Sequence, residues 1–148
     1  MSLETWQKKF YPKTPTARLS KLAAIQHSLT KWVGLRRNNL IRHGLWVIRT
    51  GWNVYIGACV EGVDDDRLEI GSDSCALCVK YLDPNTSGVE VDCKKCPLYH
   101  ARAGIPCTAA GVSQKRSPYA SWVWEGDPEP MIKALKKTLH KEQKRLFK

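Results

Sequence analysis

Cys75-Ala-Leu-Cys78 and Cys93-Lys-Lys-Cys96, separated by fourteen residues, decide how this chain is read. Each C-x-x-C pair bends into a short turn that aims two sulfurs at one point, and two such turns supply the four thiolates of a closed tetrahedral zinc site. Zn²⁺ binds sulfur at about 2.3 Å and imposes no geometry of its own, so the turns need only meet. With Cys75, Cys78, Cys93 and Cys96 as ligands, no position is left for water or substrate. The expected metal is therefore structural and the chain is not expected to be an enzyme.

Other donors stand close by. Ten residues separate Cys96 from Cys107, and His100 lies one helical turn after Cys96; either could replace Cys93 or Cys96. A Cys107 left free beside the site would be a redox-sensitive thiol. The same four sulfurs could also hold an iron–sulfur cluster. Four thiolates and one Zn²⁺ sum to a charge of about −2, which Lys80, Lys94 and Lys95 are placed in sequence to offset.

Working outward from the cysteines, Ser72-Asp73-Ser74 caps a short helix carrying Cys75, Cys78, Tyr81 and Leu82. Residues 83–88 form a turn cluster, and Val89 to Asp92 alternates like a short strand leading to Cys93. Pro97 opens a helix from Leu98 to about Ala103, closed by Gly104. Knuckle, turn, strand, knuckle and helix, over residues 72–107, is the order of a ribbon-like or treble-clef-like zinc module.

Toward the N-terminus, Leu45 to Ile48 and Val54 to Val60 are β-branched and aromatic, and the residues between them read as a hairpin turn. Cys59 falls inside the second run and is expected to be a buried small hydrophobe. Asp64-Asp65-Asp66 lacks the spacing of a calcium loop and reads as a solvated turn. Thr14-Pro15-Thr16 signals a helix start, followed to Gly34 by an apolar face of Leu19, Leu22, Ala23, Ile25, Leu29, Trp32 and Val33, with His27 on the solvated side. Helix plus hairpin thus occupy residues 14–70. Residues 1–13 read as an arm, an irregular segment docking Trp6, Phe10 and Tyr11.

On the C-terminal side, residues 117–148 hold two helices. Ser117-Pro118 caps a short one with Trp122 and Val123 buried. Asp127-Pro128 begins the last, with Met131, Ile132, Leu135, Leu139 and Leu146 on one face and cations on the other. The fold class expected from these elements is α+β, in a single domain spanning residues 1–148.

Composition limits the setting. A chain of 148 residues with 43% hydrophobic residues and six Trp can bury one core. Its longest apolar run, Val54 to Val60, falls short of the roughly 20 residues that span a bilayer, so no membrane is expected as partner. The first residues carry no apolar signal segment, Pro12 and Pro15 interrupt a transit-peptide helix, and the doublet cysteine spacing reads as metal in a reducing, cytoplasmic setting.

The net charge is +10 and unevenly spread. Residues 1–50 hold ten Lys or Arg against one acid, residues 51–100 four against nine, and residues 101–148 ten against four. Such basic ends suit a polyanion, with nucleic acid, DNA or RNA, as first candidate. Contacts are expected from Arg36, Arg37 and Arg42, which also have the Asp64-Asp65-Asp66 run as a candidate internal partner, and from Lys133, Lys137, Lys141 and Lys144 on the last helix. The alternative partner is a protein, such as a host enzyme, anchored by the excess Trp and Tyr. Catalytic signatures fail: the only His-x-Glu, His140-Lys-Glu142, follows the cysteines instead of preceding them, no His-Asn-His set has workable spacing, and nothing orients His100 toward Cys107.

Taken together, Cys75-Ala-Leu-Cys78, Cys93-Lys-Lys-Cys96-Pro97-Leu98, Gly104, Cys107, Ser117-Pro118-Tyr119 and Trp122 resemble a group of small uncharacterised proteins from tailed bacteriophages and prophages. That group is similar in its short helix, C-x-L-C knuckle, C-x-x-C-P knuckle, following Cys near a Gly, and Pro-Tyr…Trp segment before a final helix. The resemblance covers about residues 72–146. It implies a metal knuckle and a phage or prophage setting, in the host cytoplasm, and brings no activity with it. The chain departs from the group by a long insertion at about residues 36–70.

Overall fold

Ser20 starts the helix on which the rest of the fold is packed. Its hydroxyl accepts from the Ala23 amide at 3.1 Å, satisfying one of the donors that a first turn leaves orphaned, and α2 (Lys21–Gly34) runs from there. The computed structural model describes residues 2–12, 18–50, 53–58, 67–71, 75–81, 95–102 and 117–147. The start signal expected at Thr14-Pro15-Thr16 lies outside them; the cap in place is Ser20.

Besides its neighbour in sequence α3 (Arg37–Arg42), the helices α1 (Leu3–Phe10), α4 (Ala76–Tyr81) and α7 (Glu129–Leu146) pack against α2. A helix covered on several sides buries more than one stripe. Thus His27, Ser28 and Lys31 are buried alongside Ala24, Ile25 and Trp32, while Leu22, Ala23, Leu29 and Val33 are only partly so. The expectation of a solvated His27 is corrected here. Its Nε2 lies 3.1 Å from the Pro12 carbonyl oxygen and its ring meets Tyr11 edge-on, centroids 5.2 Å apart, because the segment after α1 lies over that face.

The irregular N-terminal arm is likewise a regular helix. Ser2 Oγ accepts from the Thr5 amide at 3.3 Å and Thr5 Oγ1 accepts from the Ser2 amide at 2.9 Å, a reciprocal cap that starts α1. Trp6 and Phe10, four residues apart, share one face and are buried. The Trp6 indole donates to the Gly34 carbonyl at 2.8 Å, tying α1 to the end of α2.

Gly44, at φ 67, lets α3 close and turn into the sheet, with the Leu45 amide donating to the Leu40 carbonyl at 2.8 Å. The strands β1 (Trp46–Thr50) and β2 (Asn53–Gly57) pair antiparallel with Thr50 opposite Asn53, so the hairpin is as expected. A third strand, β3 (Arg67–Glu69), pairs with β2 and was not anticipated, since three residues are too short to show alternation. The order is β1-β2-β3. Val54 and Ile56 point into the core, and Trp46, Ile48 and Tyr55 fall on the opposite face by the pleat.

Helix α5 (Pro97–Ala101) has Pro97 in its first turn as expected and ends at Ala101, short of the expected Ala103. Helix α6 (Pro118–Glu125) is capped by Ser117, whose Oγ accepts from the Ala120 amide at 3.0 Å, and stops at Gly126 with φ 66. Trp122, fully buried, meets Trp32 edge-on with centroids 5.7 Å apart. On α7 the buried row is Met131, Ile132, Leu135, Thr138 and Glu142; Leu146, expected in that row, is exposed because the helix has run past the elements that cover it. No described helix is long and apolar enough to cross a membrane.

Candidate metal centre

Cys75 sits at the mouth of α4. Its carbonyl accepts from the Val79 amide at 2.9 Å, so it holds the position before the first helical residue, and Cys78 follows within the first turn. The thiol of Cys75 is held well below the usual cysteine range. Hydrogen bonding from the Cys78 side chain contributes most, and burial opposes it; the Lys31 ammonium, the Cys78 backbone and the Ser28 hydroxyl add to the lowering. Ser28 Oγ is 3.7 Å from Cys75 Sγ. Lys31 is 1% exposed, its ammonium 5.3 Å from the centre of the Trp32 ring. A buried cation and a hydroxyl from α2 therefore favour a thiolate at the start of α4.

The Lys80 ammonium, expected to offset thiolate charge, donates to the Leu19 carbonyl at 2.6 Å, joining α4 to the segment before α2. The cation whose charge acts on Cys75 is Lys31, forty-four positions earlier in the chain. Lys95 is exposed, and Lys94 lies outside the described residues.

Cys96 precedes α5, with extended backbone (ψ 129). Burial raises the Tyr81 hydroxyl pKa, and the Cys96 sulfur and Glu142 carboxylate add to it, which puts Cys96 within electrostatic reach of the far end of α4. Burial and the Cys75 sulfur raise that of Tyr11 in the same way. Glu142 is buried on α7 and gripped by Arg145, with Nη2 to Oε1 at 2.6 Å and Nε to both oxygens at 3.2 Å.

Cys75, Cys78 and Cys96 are partly buried, and none of them is in a disulfide. Among the described residues no three His, Cys, Asp or Glu side chains are grouped to share one ion. The structure thus brings Cys75 and Cys78 together as one corner whose chemistry suits a thiolate-seeking ion, without Cys96 completing a three-donor set. Cys93 and Cys107 lie outside the described residues. His100 is exposed, its ring edge-on to Tyr99 with centroids 5.6 Å apart.

The basic segments divide in their commitments. Arg36 forks onto Glu129, Nε to Oε1 at 2.7 Å and Nη2 to Oε2 at 3.3 Å, so its charge is met by the start of α7. The partner expected for this patch, Asp64-Asp65-Asp66, lies outside the described residues. Arg37 and Arg42 on α3 are exposed. So are Lys133, Lys136, Lys137, His140, Lys141 and Lys144, along the outer face of α7. The Arg36–Glu129 fork sets the first turn of α3 against the first turn of α7, so both cationic segments begin at one place.

Ser28, Lys31 and Glu142 are the residues around the centre that sequence reasoning passed over. The available signal was that apolar residues occur in every quadrant of α2, which requires cover on several sides and so buries the polar residues between them. Compared with known proteins, the chain matches no family model, no curated protein and no solved structure.

Proposed function

We propose that this chain is a non-catalytic, zinc-stapled module that binds nucleic acid through its basic surfaces. The observation that carries the reading is the row Lys133, Lys136, Lys137, Lys141 and Lys144, exposed along one helix whose other face is buried in the core. A helix fixed by its apolar row holds its cations in register, as tracking a phosphate backbone requires. Cys75 and Cys78 would form one corner of the zinc site, with Cys93 and Cys96 as the other. The metal would supply cohesion between α4 and α5 and take no part in chemistry. A regulatory or accessory role in a phage-infected or lysogenic cell is part of this proposal.

A second reading, a module that docks on a host protein, is favoured by Trp124 at 59% and Phe147 at 86% exposure. Salt dependence separates the two. Anisotropy titration of a labelled duplex should give log Kobs falling linearly with log salt, with a slope of about −0.9 for each phosphate neutralised, and the double variant Lys137→Glu/Lys141→Glu should flatten it. Absence of nucleic-acid binding, together with capture of a host protein that survives high salt, would overturn the first reading in favour of the second.

A further inference from the structure

The end of α3 meets α1 at His43. Its Nδ1 lies 3.1 Å from Thr5 Oγ1, and its ring stands edge-on to Phe10 with centroids 6.0 Å apart. The Thr5 hydroxyl has one proton and donates it to the Ser2 carbonyl at 2.9 Å, so Nδ1 is the donor in the contact between His43 and Thr5. The lone pair of the neutral ring is then on Nε2, across the ring from Thr5.

Lys9 follows Thr5 by four residues and so shares its face of α1, with its ammonium 5.3 Å from the centre of the Phe10 ring. Phe10 thus has an ammonium and an imidazole against it. Burial lowers the His43 pKa most, and the charges of Lys9, the amino terminus and Arg42 lower it further. The charges acting on the ring are all positive. Glu4, the acid of α1, is held by Lys8 at 3.4 Å, and Arg36 at the other end of α3 is met by Glu129. Lys9 and Arg42 are exposed, and neither pairs with a carboxylate among the described residues.

We infer that Lys9, Arg42 and the Nε2 edge of His43 form a site for a backbone phosphate of nucleic acid, and that His43 takes up a proton from solvent as the phosphate binds. The inference rests on the nucleic-acid reading above and adds to it a contact apart from the lysines of α7. Cations gathered without a counter-ion repel one another, and a phosphate set among them relieves that repulsion. The guanidinium and the ammonium supply N–H donors, and protonated Nε2 supplies a further one. Arg42 lies roughly 9 Å along α3 from Arg36, whose fork onto Glu129 marks the start of α7, so the site adjoins the basic helix.

The test is an NMR titration of the His43 ring protons together with fluorescence anisotropy, both with the same labelled duplex, from about pH 8 to about pH 5, a range that spans the ordinary imidazole value. His43→Asn assigns the ring signals and keeps an N–H donor for Thr5 while removing the titrating group. Circular dichroism confirms that each protein is folded across the range. The duplex is expected to make His43 hold its proton about tenfold more tightly, seen as a titration midpoint displaced upward, and wild-type affinity should gain about tenfold more on acidification than that of His43→Asn. Lys9→Gln and Arg42→Gln should each raise the midpoint in the free protein and shrink its displacement by the duplex. A midpoint that the bound duplex leaves unchanged would overturn the site while leaving the nucleic-acid reading in place. Failure of the wild type to bind the duplex at any pH would sink both.

Discussion

The Ser28 hydroxyl lies 3.7 Å from the Cys75 sulfur, joining two residues forty-seven positions apart, and the charge of the buried Lys31, one turn further along α2, lowers the pKa of the same thiol. The central helix thus serves the cysteine corner electrostatically as well as by packing. Groups that orient and charge-balance a ligand tune the affinity of a metal site although they never touch the ion. Ser28→Ala and Lys31→Met are each expected to weaken zinc retention by about 10- to 100-fold, measured by competition with a chromophoric chelator. Lys31→Met keeps the side chain's length, so its effect should be on affinity more than on packing.

Gly34 is a packing requirement at the end of α2. A Cβ placed there would lie 2.4 Å from Phe10 Cγ and 2.5 Å from Phe10 Cβ, so α1 would have to move. Overpacking of this kind costs roughly 1–3 kcal/mol. Gly34→Ala should lower stability by that amount in urea denaturation and loosen the Trp6 bond to the Gly34 carbonyl, seen as a shift in tryptophan emission.

Arg36 and Arg37 are adjacent in sequence and unequal in commitment. Because Arg36 is forked onto Glu129, Arg36→Ala should reduce nucleic-acid affinity less than Arg37→Ala does. The fork is partly exposed, at 36% and 56%, so its loss should change stability by no more than about 1 kcal/mol.

Glu142 carries a pH prediction. Its carboxyl is held below the usual glutamate range by the Arg145 hydrogen bonds, against burial, with help from Lys21. A depressed folded-state pKa contributes stability that is present above the unfolded carboxylate value and lost as pH falls through the folded one. Melting temperature should therefore fall on acidification below the ordinary carboxylate range, and Glu142→Gln should show a shallower fall.

Local signals carried much of the architecture. The hairpin follows from two β-branched runs with a turn between them, α6 from Ser117-Pro118, and the basic face of α7 from cations spaced against Met131, Ile132 and Leu135. What escaped depends on contacts between distant segments. Strand β3 is too short to announce itself. His27 and Lys31 are polar residues buried because α1, α4 and α7 enclose α2. The Ser2–Thr5 reciprocal cap carries Thr where the usual signature has Glu or Gln, so the start of α1 had no clear local signal. At the cysteine corner, the nearness of Cys75 and Cys78 follows from their spacing, whereas the Lys31 charge that acts on Cys75 comes from another helix and has no local signal.

Metal content by inductively coupled plasma mass spectrometry, with free-thiol counting on the same sample, tests the central claim most directly. The account predicts about one zinc per chain, lost together with thermal stability in the double variant Cys75→Ser/Cys78→Ser. A metal-free, fully folded wild-type chain whose stability is indifferent to chelator and to that double substitution would contradict it.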